Sequence, residues 1–418
     1  MNSSPKKSLA DKLKSLGVKV GATEHPRPKP AEHTPIESVV PGDYRQTHYG
    51  ETFVYEQRYP LNHLHGDIPL LPTTPLPDLL SAWAKDERIS RLPIEKFVFF
   101  DTETSGLAGG TGTYAFMVGA GRFEGDEFIL AQFFLRDPSE EPAMLEALAD
   151  FIAPSEILVS YNGKSFDAPL LQTRYRLHEM PIPFEDYAHL DLLHLARRLW
   201  RNRLTSRTLQ SVEEHILSVG RTSEEVPGYE IPYLYFDYLR DKNAEPIKGV
   251  FYHNEIDILS LAALLNHAGT ILADPFGESV NHSLDVIAIA KLFEDLHQWD
   301  EAAHLYEHGL EGKLPQEDFM RTVKRLSILQ RRRGDIEEAV KWWGRAAEDG
   351  YIYAHVELAK HYEHRTKDFV VAKEYVLTAL EMVKTEDFPF HEREHWLGEL
   401  NHRLERLKRK NKSSKKRN

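Results

Sequence analysis

Residues 96–103, KFVFFDTE, join a run of aromatic and β-branched residues to the acidic triplet Asp101-Thr-Glu103. Such a run is typical of a β-strand. Side chains alternate across a strand, so Asp101 and Glu103 lie on one face. Two neighbouring carboxylates repel each other unless a cation lies between them, and hard divalent cations prefer oxygen ligands. An acidic triplet also arises by chance in so acidic a chain, so its meaning depends on the surrounding sequence.

The segments around this stretch predict an α/β domain. TYAFMVGAG (113–121) and EFILAQFFL (127–135) are two further strands, which with the first form an antiparallel meander. A helix then begins near Ser139, and EILVSY (156–161) is a short apolar run typical of a strand covered on both faces. Helices follow over 165–178, 191–201 and 207–218, with a long one ending at 250–268. This order predicts a mixed sheet with flanking helices.

Two more acidic residues stand at the ends of these elements. Asp167 follows the predicted buried strand and begins a helix, where helix capping is the alternative role. Asp257 lies one helical turn after His253, so both share a face. The helix around Asp257 is apolar, and a carboxylate there needs a partner such as a metal ion. An ordinary solvated face is the alternative, which Asn254 and Glu255 favour.

Asp101, Glu103, Asp167 and Asp257 together make the ligand set that two divalent ions require. Such ions lie roughly 4 Å apart, one orienting a water molecule and the other stabilising the leaving oxygen of a phosphodiester. A third group must position or deprotonate the water. His253 is the natural candidate, because the pKa of an imidazole lies near the working pH.

Three segments resemble the motifs of the DEDD 3′–5′ exonuclease superfamily, which has the ribonuclease H-like fold. They are FFDTETSGL, YNGKSFDAPLL and HNEIDILSL, within residues 95–268. The resemblance implies that the four carboxylates bind two Mg²⁺ or Mn²⁺ ions. The superfamily has either a His five residues before the last Asp or a Tyr four before it. Here Tyr252 stands five before and His253 four before, so we assign water activation to His253 and keep Tyr252 as the alternative.

Several residues are candidates for nucleic-acid contact. Five arginines without an acid among them suit a phosphate backbone, although a solvated helix end followed by a basic loop is the alternative. Those arginines are Arg197, Arg198, Arg201, Arg203 and Arg207. Trp200 stacks a base or belongs to the core. From the resemblance we add Thr102 and Asn162 within the motifs, and Leu107 as an apolar wedge against the terminal base.

Two histidine pairs are less informative. His63-x-His65 lacks a third ligand nearby in sequence, so we predict a surface loop. His189-x-Asp191 stands at a predicted helix start and favours N-capping or support of a ligand over direct metal binding.

The chain after residue 282 is helical and repetitive. Ala302-x3-Tyr306-x2-Gly309, Ala339-x3-Trp343-x2-Ala346 and Ala372-x3-Val376-x2-Ala379 share a small-large-small pattern with a period near 34 residues. This resembles tetratricopeptide (TPR) repeats, which dock proteins, and a non-repeat helical bundle is the alternative. With the exonuclease-like motifs, the whole chain resembles the YprB-type bacterial proteins.

We predict six regions. They are a linker-like N-terminal region (1–60), a lead-in segment (61–94), the ribonuclease H-like domain (95–268), a linker (269–282), TPR-like repeats with a capping helix (283–410) and a basic tail (411–418). The formal net charge of −13 requires nucleic acid to meet a local basic surface. The chain has no cysteine, which suits a cytoplasmic location, and no run of apolar residues that predicts a membrane partner.

The sequence therefore predicts a metal-dependent nuclease, a 3′–5′ exonuclease acting on nucleic-acid ends, with a protein partner on the repeats. The alternative is a weakly active adaptor that keeps the nuclease fold and binds nucleic acid and a protein. DNA and RNA, single and double strands, Mg²⁺ and Mn²⁺, and the oligomeric state all remain open at this point.

Overall fold

The computed structural model describes residues 33–72, 75–106, 112–385 and 388–414. Its centre is a seven-stranded mixed sheet with strand order β1-β2-β7-β6-β5-β8-β9. These strands are β1 (Asp43–Thr47), β2 (Gly50–Pro60), β5 (Phe97–Thr104), β6 (Ala115–Glu124), β7 (Glu127–Phe134), β8 (Ile157–Ser160) and β9 (Ala188–Asp191). A separate two-stranded ribbon joins β3 (Leu64–His65) and β4 (Ile68–Pro69).

The predicted mixed sheet is confirmed. Strands β5, β6 and β7 form the antiparallel meander, while β8 runs parallel to β5 and β9 parallel to β8. Strand β9 was not predicted, because four residues before a helix give too little alternating pattern. The two parallel strands bring the carboxyl ends of β5 and β8 to one edge, where an α/β sheet exposes functional side chains.

Strand β5 alternates as its period predicts. Phe97 and Phe99 belong to the core on one side of the sheet, and Val98 and Phe100 to the core on the other. Asp101 and Glu103 continue the face of Phe97 and Phe99, beneath the longest helix of the domain. The strand therefore carries its two carboxylates out of an apolar interior on a single face.

Helices cover both faces of the sheet. They are α1 (Asp78–Ala84), α2 (Arg88–Arg91), α3 (Glu141–Ile152), α4 (Asp167–Leu177), α5 (Leu192–Leu199), α6 (Leu209–Val212), α7 (Ile231–Asp241) and α8 (Ile247–Ala273). A π-helical turn, Glu213–Leu217, continues α6. By length and composition, α8 resembles a membrane span, but 72% of its most apolar stretch is buried, as in a core helix. Its contacts with β5, β6 and β7 account for that burial.

Two predicted linkers are shorter in the structure. Residues 43–60 are strands, so the linker prediction was wrong there, and residues 1–32 lie outside the described residues. Pairing explains the difference, because β2 joins β7 over eight residues and Phe53 is fully buried. The predicted linker 269–282 is also wrong over its first five residues, since α8 continues to Ala273.

The C-terminal region is entirely helical where it is described. Its helices are α9 (Ser283–Asp295), α10 (Trp299–Glu311), α11 (Gln316–Arg333), α12 (Ile336–Glu348), α13 (Ile352–His361), α14 (Phe369–Lys384) and α15 (Phe390–Ser414). All nine residues of the small-large-small pattern are buried, on α10, α12 and α14. The apolar core beneath α8 continues without interruption into α9–α13.

Part of the basic C-terminus is used inside this region. Arg403, Arg406 and Lys410 all pair with the buried carboxylate of Glu363. These cations hold the pKa of Glu363 down, to about 2, although burial acts in the opposite direction. The charges of this part of α15 therefore stabilise its docking on the preceding helices.

Candidate metal centre

Asp101 and Glu103 lie at the floor of an acidic site under α8. Burial, and next the charges of Asp257 and Asp167, raise the pKa of Asp101 well above its ordinary value. Burial, and next the charges of Asp101, Asp257 and Asp167, raise the pKa of Glu103 in the same way. The four predicted carboxylates therefore act on one another, and their mutual repulsion disfavours full ionisation of the set.

Asp167 reaches the site from the start of α4. It accepts a hydrogen bond from the Thr102 hydroxyl, so Thr102 acts here through a carboxylate. Burial raises the pKa of Asp167 to about 6, although the Thr102 hydrogen bond opposes the shift. The loop before Asp167 is held by Asp191, which accepts the backbone N–H of Asn162 at 2.8 Å and caps α5. The predicted capping role of Asp191 is confirmed.

His253 faces the acidic site from α8. Its Nε2 lies 3.8 Å from Glu103 Oε1 and 3.7 Å from Asp257 Oδ2, and its Nδ1 lies 2.7 Å from Glu225 Oε1. Burial lowers the pKa of His253, but the hydrogen bond to Glu225 and the charge of Asp257 outweigh that and raise it overall. Nδ1 also lies 3.2 Å from Nη1 of Arg221, which only donates. The shorter contact is with the Glu225 carboxylate, which only accepts, so Nδ1 carries the proton and Nε2 is the nitrogen directed at the site.

Tyr252 points elsewhere. Its hydroxyl accepts a hydrogen bond from the backbone N–H of Thr222 at 2.9 Å, on the loop that follows the π-helical turn. His253, one residue later, contacts two of the four carboxylates. The geometry therefore favours His253 over Tyr252 as the group that orients a water molecule at the site.

Arg221 is a site residue that the sequence analysis missed. Its guanidinium donates to Asp257, to both oxygens of Glu213 at 2.7 and 2.8 Å, and to Glu225 at 2.8 Å. Only 8% of its side chain is exposed. A single arginine in a loop gives no sequence signal of this kind. The site thus contains its own cation, which neutralises part of the carboxylate charge.

Asn254 is the second residue that was missed, and the alternative of a solvated face is wrong for it. It is fully buried, and its amide donates to Asp101 Oδ2 at 3.1 Å. Gln132 holds the amide oxygen at 3.0 Å. Gly119, the partner of Asp101 in the sheet, makes this close approach possible. A side chain at this position would place its Cβ only 2.1 Å from the Asn254 side chain. Asn254 stands among other polar residues, His253, Glu255 and Asp257, so its sequence position gave no signal of its own.

The donor set suits a hard divalent ion in kind, with four carboxylates and one imidazole. Among the described residues, no group of three or more His, Asp or Glu side chains is arranged so that it could hold a metal ion without moving. The carboxylates engage protein groups instead: Asp257 with Arg221, Asp101 with Asn254, and Asp167 with Thr102. Each of these bonds uses one oxygen of its carboxylate, so an ion can take the other oxygen of Asp101 and Asp167 and has to compete with Arg221 for Asp257.

The five arginines lie in three different settings. Arg198 pairs with Asp295, and Arg203 with the buried Asp285, so these two join the sheet domain to α9. Phosphate contact by Arg203 is no longer supported. Arg197 and Arg207 line a cavity of about 500 Å³ together with Asn162. Arg201 is exposed.

The other candidate residues from the sequence have partners other than the four carboxylates or lie outside the described residues. Trp200 is 1% exposed and stacks on His267, so it belongs to the core. Leu107 lies outside the described residues. His65 is buried and bonds Ser260 at 2.8 Å, so the expected surface loop is wrong for that residue. His189 bonds Ser160 at 2.7 Å, and its burial lowers its pKa to about 4.

The raised pKa values predict how the metal-free protein responds to pH. Between the ordinary value near 4 and the raised values of Asp101, Glu103 and Asp167, the native state binds more protons than the unfolded chain. Stability therefore falls as pH rises from about 5 to 8 in the presence of a chelator, and the raised pKa of His253 acts in the same direction. Melting temperatures with and without Mn²⁺ measure this. Equal pH dependence in both conditions contradicts it.

Several known proteins are similar to parts of this chain. The family B DNA polymerase from the hyperthermophilic archaeon Pyrobaculum calidifontis is similar over 49% of this chain and 29% of its own, with a TM-score of 0.33 and 16% identity, which says nothing of activity. A family model of the RNase_H superfamily, RNase_H_2, matches residues 98–269. The uncharacterized protein YprB of Bacillus subtilis (strain 168) is 34% identical over 328 residues, 76% of this chain and 77% of that protein. This chain therefore belongs to the same family as YprB and contains an RNase H superfamily domain.

Proposed function

We propose that this protein is a metal-dependent nuclease, a 3′–5′ exonuclease that hydrolyses phosphodiester bonds at nucleic-acid ends. One observation carries the proposal: Asp101, Glu103, Asp167 and Asp257 interact electrostatically in one site, beside an imidazole directed at two of them. Carboxylates that repel one another inside a protein lower its stability unless cations join them. The RNase H superfamily domain supports the same reading.

The four carboxylates would hold two Mg²⁺ or Mn²⁺ ions, which polarise the phosphoryl oxygens and favour a nucleophilic water at neutral pH. His253 orients that water and accepts its proton at Nε2, because Nδ1 is bound to Glu225. Glu225 fixes the ring of His253, and Arg221 holds the Asp257 carboxylate until an ion takes its place. Asn254 sets the orientation of Asp101. Added positive charge next to His253 favours its neutral form, which the proton transfer needs.

Contacts with the substrate follow from the exposed groups around the centre. Phe166, directly before Asp167, is 65% exposed and offers a ring on which a base stacks. Arg197 and Arg207 present guanidinium groups to phosphate in the cavity beside Asn162. The helical C-terminal region would bind a protein partner as TPR-like repeats do, which its buried small-large-small pattern supports.

Strands labelled at either end test the proposal. With Mn²⁺ or Mg²⁺, a strand labelled at its 3′ end is expected to release the label first as a nucleoside 5′-monophosphate. A strand labelled at its 5′ end is expected to shorten gradually, and a chelator to stop both reactions. DNA and RNA strands, single and paired, are compared in the same assay. Absence of any metal-dependent release contradicts the nuclease, and release of the 5′ label first contradicts the polarity.

A second function is favoured by the pairing of Arg221 with Asp257. A guanidinium that satisfies the carboxylate supplies the counter-charge without a metal ion, as an adaptor with little turnover requires. This alternative predicts metal-independent binding of single strands and no more hydrolysis than in a carboxylate variant. The two functions therefore differ in whether Mn²⁺ changes the protein at all.

A further inference from the structure

A basic cleft lies where the sheet domain meets the helical region. It has a volume of about 500 Å³, and among the charged residues that line it only Asp318 is acidic. Its cations are Arg197, Arg198, Arg201, Lys291, Arg321 and Arg325. The first three come from the end of α5 and the residues after it, and the last three from α9 and α11. Neither region forms this cleft alone.

The charges of the cleft are available to a ligand in different degrees. Arg197 and Arg201 are exposed and have no carboxylate partner among the described residues. Four others make ion pairs with acids at the rim: Arg198 and Lys291 with Asp295, Arg321 with Glu317 and Asp318, and Arg325 with Glu294. The Arg321–Glu317 pair is exposed on both sides and contributes little, so a phosphate group competes with that carboxylate at small cost. The other pairs are partly buried and give way less readily.

The cleft continues towards the candidate metal centre. Arg197 lines the basic cleft and also the cavity that contains Asn162 and Arg207. Asn162 belongs to the loop that leads to Asp167, and its backbone is fixed by Asp191, the N-cap of α5. One helix thus connects the loop of a candidate metal ligand to the basic cleft.

The walls of the cleft are fixed to each other. Arg203 pairs with the buried Asp285, and Arg198 also donates to the backbone oxygen of Lys291 at 2.9 Å. Asn202 donates to Asp318 at 3.1 Å. The apolar core is continuous across the same junction. The two walls of the cleft are therefore held in one relative position, which lowers the entropy lost on binding.

We propose that this cleft binds the phosphate backbone of the strand whose end lies in the candidate centre. The inference rests on the proposed function and assigns α9 and α11 to the nucleic-acid surface. Planar guanidinium groups suit the oxygens of phosphate, and five of the six cations are arginines. An acidic protein segment is the other ligand that such charges attract, but the connection through Arg197 to Asn162 favours the strand.

Salt-dependent binding by the metal-free full chain tests the proposal. A fluorescent single strand of about 20 nucleotides is titrated in chelator at several salt concentrations. For a variant with Lys291→Gln, Arg321→Gln and Arg325→Gln, the slope of log affinity against log salt is expected to flatten by about 2, since each lost phosphate contact on a single strand accounts for roughly 0.7. Affinity near 0.1 M salt is expected to fall at least about tenfold.

Two control proteins separate charge from structure. Lys341→Gln, Arg345→Gln and Lys384→Gln remove three cations outside the cleft, on α12 and α14, and are expected to keep the wild-type slope. Lys291→Arg, Arg321→Lys and Arg325→Lys keep the cleft charges and are expected to retain it too. Equal slopes for the cleft variant and the wild type overturn the inference and leave the nuclease proposal standing.

The other outcomes are equally distinct. If the wild type binds no strand at any salt concentration, the proposed function fails together with the cleft. If polyglutamate of matched charge binds the wild type as tightly as the strand, and the cleft variant loses both, the cleft is a site for acidic proteins and the inference is wrong.

Discussion

Replacing Asp101 by Asn is expected to lower metal-dependent hydrolysis by at least about 10³-fold, because stabilisation by bound ions contributes several kcal/mol and each 1.36 kcal/mol is a factor of ten. The metal-free melting temperature is expected to rise in the same variant. Burial and like charges raise the pKa of Asp101, so its ionised form lowers the stability of the native state at neutral pH. Strand hydrolysis and thermal melting in chelator measure the two effects.

In Asp101→Asn, hydrolysis is expected to fall while the melting temperature rises, and this combination is specific to the loss of a buried metal ligand. A variant that merely unfolds loses both activity and melting temperature. Asp126→Asn is the matched control, since this exposed aspartate lies in the turn between β6 and β7 and is expected to change neither quantity. Hydrolysis by Asp101→Asn at the wild-type rate contradicts the metal centre.

Replacing Arg221 by Met is expected to reduce the free energy of unfolding by about 3–5 kcal/mol in chelator, the range for breaking a buried ion pair from one side. Glu213, Glu225 and Asp257 then lose their shared partner. Mn²⁺ is expected to stabilise this variant more than the wild type, since an ion replaces the missing charge and no longer displaces a guanidinium. Denaturant unfolding with and without Mn²⁺ measures both.

Arg240→Met is the control for Arg221→Met. Arg240 also pairs with two carboxylates, Asp237 and Asp241, but on the exposed surface of α7. Its loss is expected to leave stability and the response to Mn²⁺ unchanged. If Mn²⁺ stabilises neither Arg221→Met nor the wild type, the adaptor function is the better account of the protein.

The four strands β5, β6, β7 and β8 and the shared face of Asp101 and Glu103 were predictable because they depend on short-range patterns. The alternation in FVFFDTE fixes which side chains share a face, and the structure confirms that Asp101 and Glu103 lie on the face of Phe97 and Phe99. The continuous apolar run ending at Ser160 similarly predicted a strand covered on both faces. Such rules need only neighbouring residues.

The missed features depend on contacts between distant parts of the chain. Arg221 reaches Asp257 across 36 residues, and Asn254 reaches Asp101 across 153, so no local spacing connects these pairs. The strands at 43–60 were missed because the proline-rich segment before them suggested a linker. The strand that connects them to the sheet, β7, pairs with β2 and follows more than 60 residues later.

The uninterrupted interior shared by α8 and α9–α13 has a practical consequence for dividing the molecule. A shortened protein that stops at residue 282 lacks the buried residues Val286, Ile289 and Leu292. The apolar surface that they cover in the intact protein then becomes exposed to water. Such a fragment is expected to aggregate, whereas the intact polypeptide is expected to unfold in one cooperative step across this junction. To produce the two halves separately, the apolar residues at the junction of α8 and α9 first have to be replaced by polar ones.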